Sequence, residues 1–362
     1  MDDRAARLLL DWYDGHARVL PWRVPQGEAD PYRVWLSEVM LQQTTTAHAA
    51  PYFAKFTERW PTVEALAAAP EEAVMAEWAG LGYYARARNL VACARRVADR
   101  GDFPETEAEL RQLPGLGAYT AAAVAAIAFG RRAVAIDANV ERVVARLFAI
   151  DTPLPGARKA IRAAAETLVP EHRAGDFTQA MMDLGATICT ARKPKCLLCP
   201  LSERCEARKQ GRQEALPVKA AKKPRPTRTG TAFWIERDGH VWLVTRPRQG
   251  LLGGMRALPD DGWTARADGS GEAPLPGAWK AGGVVRHSFT HFDLELGLAI
   301  YAGEQFAELS GGAWWPIATL EAGGLPTLFA EVARLTMDVT LRLHPLSGHV
   351  AGVARGGPLS PE

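Results

Sequence analysis

Four of the chain's five cysteines, Cys189, Cys196, Cys199 and Cys205, stand within 17 residues in the spacing C-x6-C-x2-C-x5-C. Structural zinc sites usually come as two C-x2–4-C pairs on either side of a longer loop, which this spacing fits poorly. Four thiolates in one short stretch can instead wrap a [4Fe–4S] cluster. The rest of the chain holds only Cys93, so the clustering is not chance. Two acids offer a different chemistry. In "PYRVWLSEVML", Glu38 lies about 60° around a helix from Trp35 and about 100° from Val39, at the edge of an apolar stripe. A carboxyl group half withdrawn from water has a raised pKa and can carry a proton near neutrality. In "AVAIDANVERVVARLF", Asp137 directly precedes an apolar-periodic helix. Standing alone, these acids read more simply as a rim carboxylate and a helix N-cap.

The elements that must hold these groups are helices. Residues 1 to about 205 show 3.6-residue periodicity, broken by Pro61, Pro70, Gly101 and Pro114. Thr106 and Glu109 have the spacing of a capping box. In "LPGLGAYTAAAVAAIAFG", Gly115 and Gly117 permit a tight turn between helices, and Gly117 opens the second one. Backbone N–H groups and the positive helix end there suit a phosphate. The texture changes after the cysteines. "PVKAAKKPRPTRTG" carries five basic residues, three prolines and no acid, the composition of a linker. Beyond it "TAFWIERDGHVWLVTRP" predicts two strands about an Asp238-Gly239 turn. "VVRHSFTHFDLELGLAIYAG" predicts two more strands around a polar corner, and "LPTLFAEVARLTMDVTLRL" a helix.

The expected organisation is therefore multidomain. An all-α domain spans 1–216 and includes the cysteine loop 189–205; a linker covers 217–229, a smaller α+β domain 230–345 and a disordered tail 346–362. With a net charge of +2, any nucleic-acid surface must be local. The acidic start lacks the order of a signal peptide, and the longest apolar run, 12 residues, falls short of the roughly 20 that span a bilayer. A cytoplasmic protein is expected, nucleoid-associated if bacterial, in whose reducing surroundings clustered cysteines hold metal.

In order, the glycine hairpin, the aspartate and the four-cysteine loop resemble the helix-hairpin-helix, endonuclease-III-like DNA glycosylases. "DPYRVWLSEVMLQQTTTAHAAPYF" and "EWAGLGYYARARNL" closely resemble the adenine DNA glycosylases of the MutY type. The resemblance implies a monofunctional enzyme of base excision repair. It would bind double-stranded DNA as a monomer and remove adenine mispaired with 8-oxoguanine or guanine after flipping the base out. Glu38 would protonate the adenine, at N7 by resemblance, and then act as base toward water. Asp137 would stabilise the oxocarbenium charge on the sugar, with Asn139 in support. Relatives that also cut the strand have a Schiff-base lysine where this chain has Tyr119, so that lyase route is closed. Thr120 follows the tyrosine as the family has it, and would contact DNA. Gln43 and Tyr83 would wedge into the duplex, Arg86 and Arg88 would meet phosphates, and Gly115 and Gly117 would anchor the backbone. Lys193, Lys195 and Arg204 would present charge from an iron–sulfur loop that has no part in hydrolysis.

Domain 230–345 would then be Nudix-like, with Phe289-Thr290-His291 reading the lesion where relatives carry Phe-Ser-His. No Nudix hydrolase motif is present, so no pyrophosphohydrolase activity is expected. "GLLGGMRALP" also departs from relatives, which usually place an aromatic or acidic residue after the glycines. Three rival functions remain at this stage: a glycosylase for oxidised pyrimidine or mismatched thymine, a non-cutting iron–sulfur lesion-binding protein, and a nucleotide hydrolase centred on 230–345.

Overall fold

A computed structural model describes residues 3–25, 27–220, 224–247, 250–303 and 309–343. The expected tail 346–362 lies outside them. The chain divides into two compact units, Met1–Lys222 and Lys223–Glu362.

Unit 1 is helical. It begins with α1 (Asp3–His16), α2 (Pro31–Leu41), α3 (Thr46–Arg59), α4 (Val63–Ala68), α5 (Glu71–Glu77) and α6 (Ala85–Arg100). It continues with α7 (Glu107–Leu110), α8 (Ala118–Phe129), α9 (Ala138–Leu147), α10 (Arg158–Glu166), α11 (Ala174–Thr187) and α12 (Glu206–Lys209). Local chemistry sets the ends. Asp30 accepts from the Tyr32 N–H and Pro31 occupies the first turn, so α2 starts where its proline fits. Thr106 caps α7 through the Glu109 N–H, though this helix closes at Leu110, before Pro114. Helix α8 is sheathed on every side: Ala121 to Ala126 have no exposed surface. Their small side chains let α2 and α11 pack close against it.

Unit 2 holds two sheets. In one, β1 (Thr227–Trp234) runs parallel to β6 (Asp293–Tyr301), which pairs antiparallel with β5 (Trp279–Ser288). In the other, β3 (His240–Thr245) pairs with β2 (Glu236–Arg237), β4 (Arg256–Ala257) and β7 (Gly312–Pro316). The expected Asp238-Gly239 turn is present, both residues having positive φ. It joins β2 to β3, because the chain leaves the first sheet at Trp234. Alternating Leu294, Leu296 and Leu298 of β6 are buried in one core with Leu328, Phe329 and Val332 of α13 (Thr327–Leu343).

The linker differs from the expected 217–229. Leu154 N–H donates to the Val218 carbonyl, and Ala220 N–H to the Leu154 carbonyl, so 218–220 belongs with unit 1. At the other end Thr227 already pairs with Asp293 as the first residue of β1. Extended basic, proline-containing chain satisfies its backbone against strands and bridges as readily as against water, and composition does not distinguish the two.

Candidate active site

Glu38 sits on the inner face of α2 and is 4% exposed. Its Oε2 accepts the Tyr119 hydroxyl at 2.7 Å, so the first turn of α8 closes over α2. Burial pushes the Glu38 carboxyl up to about 7. The Tyr119 hydrogen bond pulls the other way, the charge of Asp137 raises it further, and Arg23 lowers it. The sequence predicted a half-dry edge; the structure gives complete burial, since α8 covers what the stripe on α2 left open. The same surroundings hold the Tyr119 phenol well above its ordinary value, through burial first and then the charges of Glu38 and Asp137.

Asp137 takes the capping role and leaves its second oxygen for another partner. It is the N-cap of α9, accepting from the Val140 N–H at 2.7 Å, and its other oxygen accepts from Asn139 Nδ2 at 2.9 Å. Asn139 Oδ1 accepts from Arg142, which also donates to the carbonyls of Gly185 and Cys189. A Cβ on Gly185 would meet the Asn139 Cβ at 2.6 Å, so only glycine lets α11 approach α9 this closely. The carboxylate is thereby oriented from both sides while remaining partly open.

Sequence reasoning missed a charged cluster beside these acids. Asp183 of α11 is fully buried; it accepts from the Arg18 N–H at 3.0 Å, Arg18 Nε at 2.5 Å, and Arg23 Nη1 and Nη2 at 2.5 and 2.8 Å. Burial works to raise its pKa, but the two guanidinium groups prevail and hold it below the usual range. Breaking a buried pair of this kind costs about 3–5 kcal/mol. Arg23 acts electrostatically on both Glu38 and Tyr119, which places the cluster at the site. The clue in the sequence was an acid inside "AMMDLGA": a carboxylate in an apolar run demands a cation.

The predicted DNA contacts divide. Gln43 and Tyr83 are exposed and hold left-handed backbone, with φ of 59° and 49°. Non-glycine residues rarely adopt this conformation, and it turns both side chains outward from loop corners. Gly115 (φ 78°) and Gly117 lie exposed at the hairpin tip. A Cβ on Gly115 would stand 2.7 Å from the Asn89 Cβ, whereas one on Gly117, the N-cap of α8, would meet nothing. Arg86 corrects the expectation of a phosphate contact. It is buried, donates to the carbonyls of Val39, Met40 and Leu81, and lies over the rings of Trp78 and Tyr83 at 5.1 and 5.6 Å. It braces the end of α2 from inside. Thr120 is likewise buried, accepting from Gln42 Nε2 at 3.1 Å, because it faces the end of α2 from the first turn of α8. Arg88 is half-buried, and its Nη1 has no hydrogen-bond partner among the described residues.

Cys189, Cys196, Cys199 and Cys205 are half-buried free thiols in one loop. Among the described residues no three His, Cys, Asp or Glu side chains lie close enough to share a single metal ion. Arg146, 2% exposed, reaches into this loop and donates to the carbonyls of Leu216, Cys189, Thr190 and Ala191 and to the Cys189 Sγ. None of these partners is a carboxylate. A buried cation bonded to the Cys189 sulfur, in a loop of four cysteines, offers countercharge to an anionic cluster, and the donor set fits one. Lys193 and Lys195 are exposed on the loop and Arg204 half-exposed. In unit 2, Thr290 and His291 are exposed at the β5–β6 corner, while Phe289 stacks on Phe292 with ring centroids 4.7 Å apart.

Comparisons with known proteins match these parts separately. Residues 36–171 match the HhH-GPD superfamily of base excision DNA repair proteins. Residues 189–205 match the iron–sulfur binding domain of endonuclease III, so the loop holds an iron–sulfur cluster, and residues 231–335 match the NUDIX domain. The chain is similar to an adenine DNA glycosylase of Homo sapiens, at 35% identity over 85% of this chain and 69% of that protein. It is also similar to one of Buchnera aphidicola, at 31% identity over 89% and 94%. The structure of a thermostable thymine-DNA glycosylase superposes with a TM-score of 0.52 at 32% identity, covering 57% of this chain and 96% of that one.

Proposed function

We propose, from the premise that this chain belongs to the adenine DNA glycosylases, that it acts on adenine mispaired with 8-oxoguanine or guanine. The enzyme is a monofunctional glycosylase of base excision repair that binds DNA. Adenine's anion is a poor leaving group, so departure needs a proton. Protonated Glu38 gives one to N7 of the extruded base, and the C1′–N9 bond breaks with its electron pair going to the base. The sugar is left as an oxocarbenium ion, which Asp137 stabilises electrostatically while Asn139 holds the aspartate in place. Glu38, now a carboxylate, takes a proton from the water that attacks C1′, restoring its starting state and leaving an abasic site.

One observation carries this reading: the Tyr119 hydroxyl sits 2.7 Å from a buried Glu38 whose pKa is near 7, so a proton is both available and removable at neutral pH. Position 119 is a tyrosine, which offers no amine for a Schiff base. Gln43 and Tyr83, exposed on left-handed corners, fill the space the flipped base leaves. The hairpin tip at Gly115 and Gly117 takes a phosphate. The iron–sulfur loop presents Lys193 and Lys195 to the backbone; the bound cluster supplies rigidity to that loop and no step of hydrolysis. Thr290 and His291 read the opposite 8-oxoguanine, and the enzyme works as a monomer.

The thymine-glycosylase likeness covers 57% of this chain, whereas the adenine DNA glycosylase relatives match over 85% and 89% of it, which supports adenine as the excised base. Incubation with A:8-oxoguanine, A:G and T:G duplexes tests the proposal. Adenine should be released from the first two, with strand breaks only after alkali. Release of thymine, or breaks without alkali, would overturn it.

A further inference from the structure

The corner between β5 and β6 is held from outside the hairpin. Its own bonds are few: Phe289 N–H donates to the Phe292 carbonyl at 2.9 Å, and Ser288 Oγ to Asp293 Oδ1 at 2.6 Å. The remaining fastenings come from the residues that lead into β1. Arg225 Nη1 donates to the Phe289 carbonyl at 2.9 Å, and its Nη2 lies 3.7 Å from Asp293 Oδ1. One residue on, the Pro226 carbonyl accepts the Asp293 N–H at 3.0 Å. Parallel pairing of β1 with β6 makes this possible, because Thr227 faces Asp293 and brings the chain before β1 alongside the corner.

We propose that Arg225 is a positioning residue for lesion recognition. One guanidinium grips both ends of the five-residue span 289–293 and fixes the exposed Thr290 and His291 between them. A planar fork with several donors suits a carbonyl and a carboxylate at once, which an unbranched ammonium does not. The Arg225 side chain is 47% exposed, so it is reachable from solvent while bonded to the corner. This inference rests on the corner being the reader of the opposite base, as proposed above, and deepens it: a residue outside the hairpin sets the preference for 8-oxoguanine over guanine.

The test uses the full-length protein with Arg225→Ala, Arg225→Lys and, as control, Thr290→Ala, each checked for an unchanged melting temperature. Single-turnover rates at saturation and half-saturating concentrations are measured on A:8-oxoguanine and A:G duplexes. Arg225→Ala should lower the ratio of apparent affinities by about threefold to tenfold, with the rate at saturation on A:G unchanged. Arg225→Lys should recover part of the ratio through its bond to the Phe289 carbonyl. Amide exchange at Phe289 and Asp293 reads the strap directly, and should quicken in Arg225→Ala. If Thr290→Ala lowers the ratio while Arg225→Ala leaves it intact, the positioning role is wrong. Equal weakening on both duplexes would make Arg225 a phosphate contact and overturn the proposal too. If Thr290→Ala leaves the ratio unchanged, the corner is not the reader; unchanged exchange in Arg225→Ala would then dispose of the strap as well.

Discussion

Glu38 pairs two demands that burial, foremost among its influences, reconciles: it must hold a proton near pH 7, and it must give that proton up. Its folded pKa of about 7 stands above the ordinary 4.5. The associated stability is therefore fully present below pH 4.5 and lost as pH rises through 7, when a buried carboxylate must ionise. Glu38→Gln escapes that loss. Relative to the parent it should gain nothing at pH 4.5 and about 3 kcal/mol by pH 8, measured by urea unfolding. The same variant should bind A:8-oxoguanine and release no adenine. Normal turnover would remove Glu38 from the chemistry. Tyr119 tunes the same group in the opposite direction. Its hydroxyl favours the ionised form, so Tyr119→Phe should raise the Glu38 pKa further. The alkaline fall in single-turnover rate should then begin above pH 7; a shift to lower pH would refute the assignment.

In the hairpin between α7 and α8, Gly115 meets a demand of folding and Gly117, two residues on, the phosphate contact proposed above. Gly115 has positive φ and no room for a Cβ beside Asn89, so Gly115→Ala should destabilise unit 1 by about 1–3 kcal/mol. Gly117 has extended backbone and open space, and Gly117→Ala should change stability by less than about 0.5 kcal/mol. If DNA phosphate approaches the N-terminus of α8, Gly117→Ala should still weaken duplex binding. Denaturation curves and a binding titration on both variants decide this, and equal stability costs would contradict the geometry. Gln43 and Tyr83, the wedges proposed above, follow related logic. Left-handed backbone at Gln43 and Tyr83 is affordable because the loops around them are fastened, the second by Arg86 from beneath.

Each unit has a hydrophobic core of its own, so the chemistry and the lesion reading proposed above are physically separable. Residues 1–222 contain Glu38, Tyr119, Asp137, the Asp183 cluster and the iron–sulfur loop. Expressed alone, they should release adenine from A:G near the full-length rate and lose the preference for A:8-oxoguanine. Retention of the whole preference by this fragment would move recognition out of unit 2. In architecture the expectation of a helical domain followed by an α+β domain was met, down to the Asp238-Gly239 turn. The boundary was not, because 218–220 and 227–229 satisfy their backbones within the two units, leaving less free linker than composition suggested.

What the sequence determined by itself was everything carried by spacing. Four cysteines in 17 residues, two glycines ahead of a helix, an aspartate at a helix start and a glutamate at the edge of an apolar stripe are local patterns, and local geometry turns them into a loop, a hairpin, a cap and a half-dry acid. Tertiary structure alone decided which of these groups meet. Glu38 and Tyr119 are 81 residues apart, and Asp183 finds its arginines 160 and 165 residues away. The same packing drew Arg86 and Thr120 inward, against the expectation from their motifs. Periodicity says which face of a helix turns inward, but a side chain's acidity and partners depend on what the other helices bring to that face.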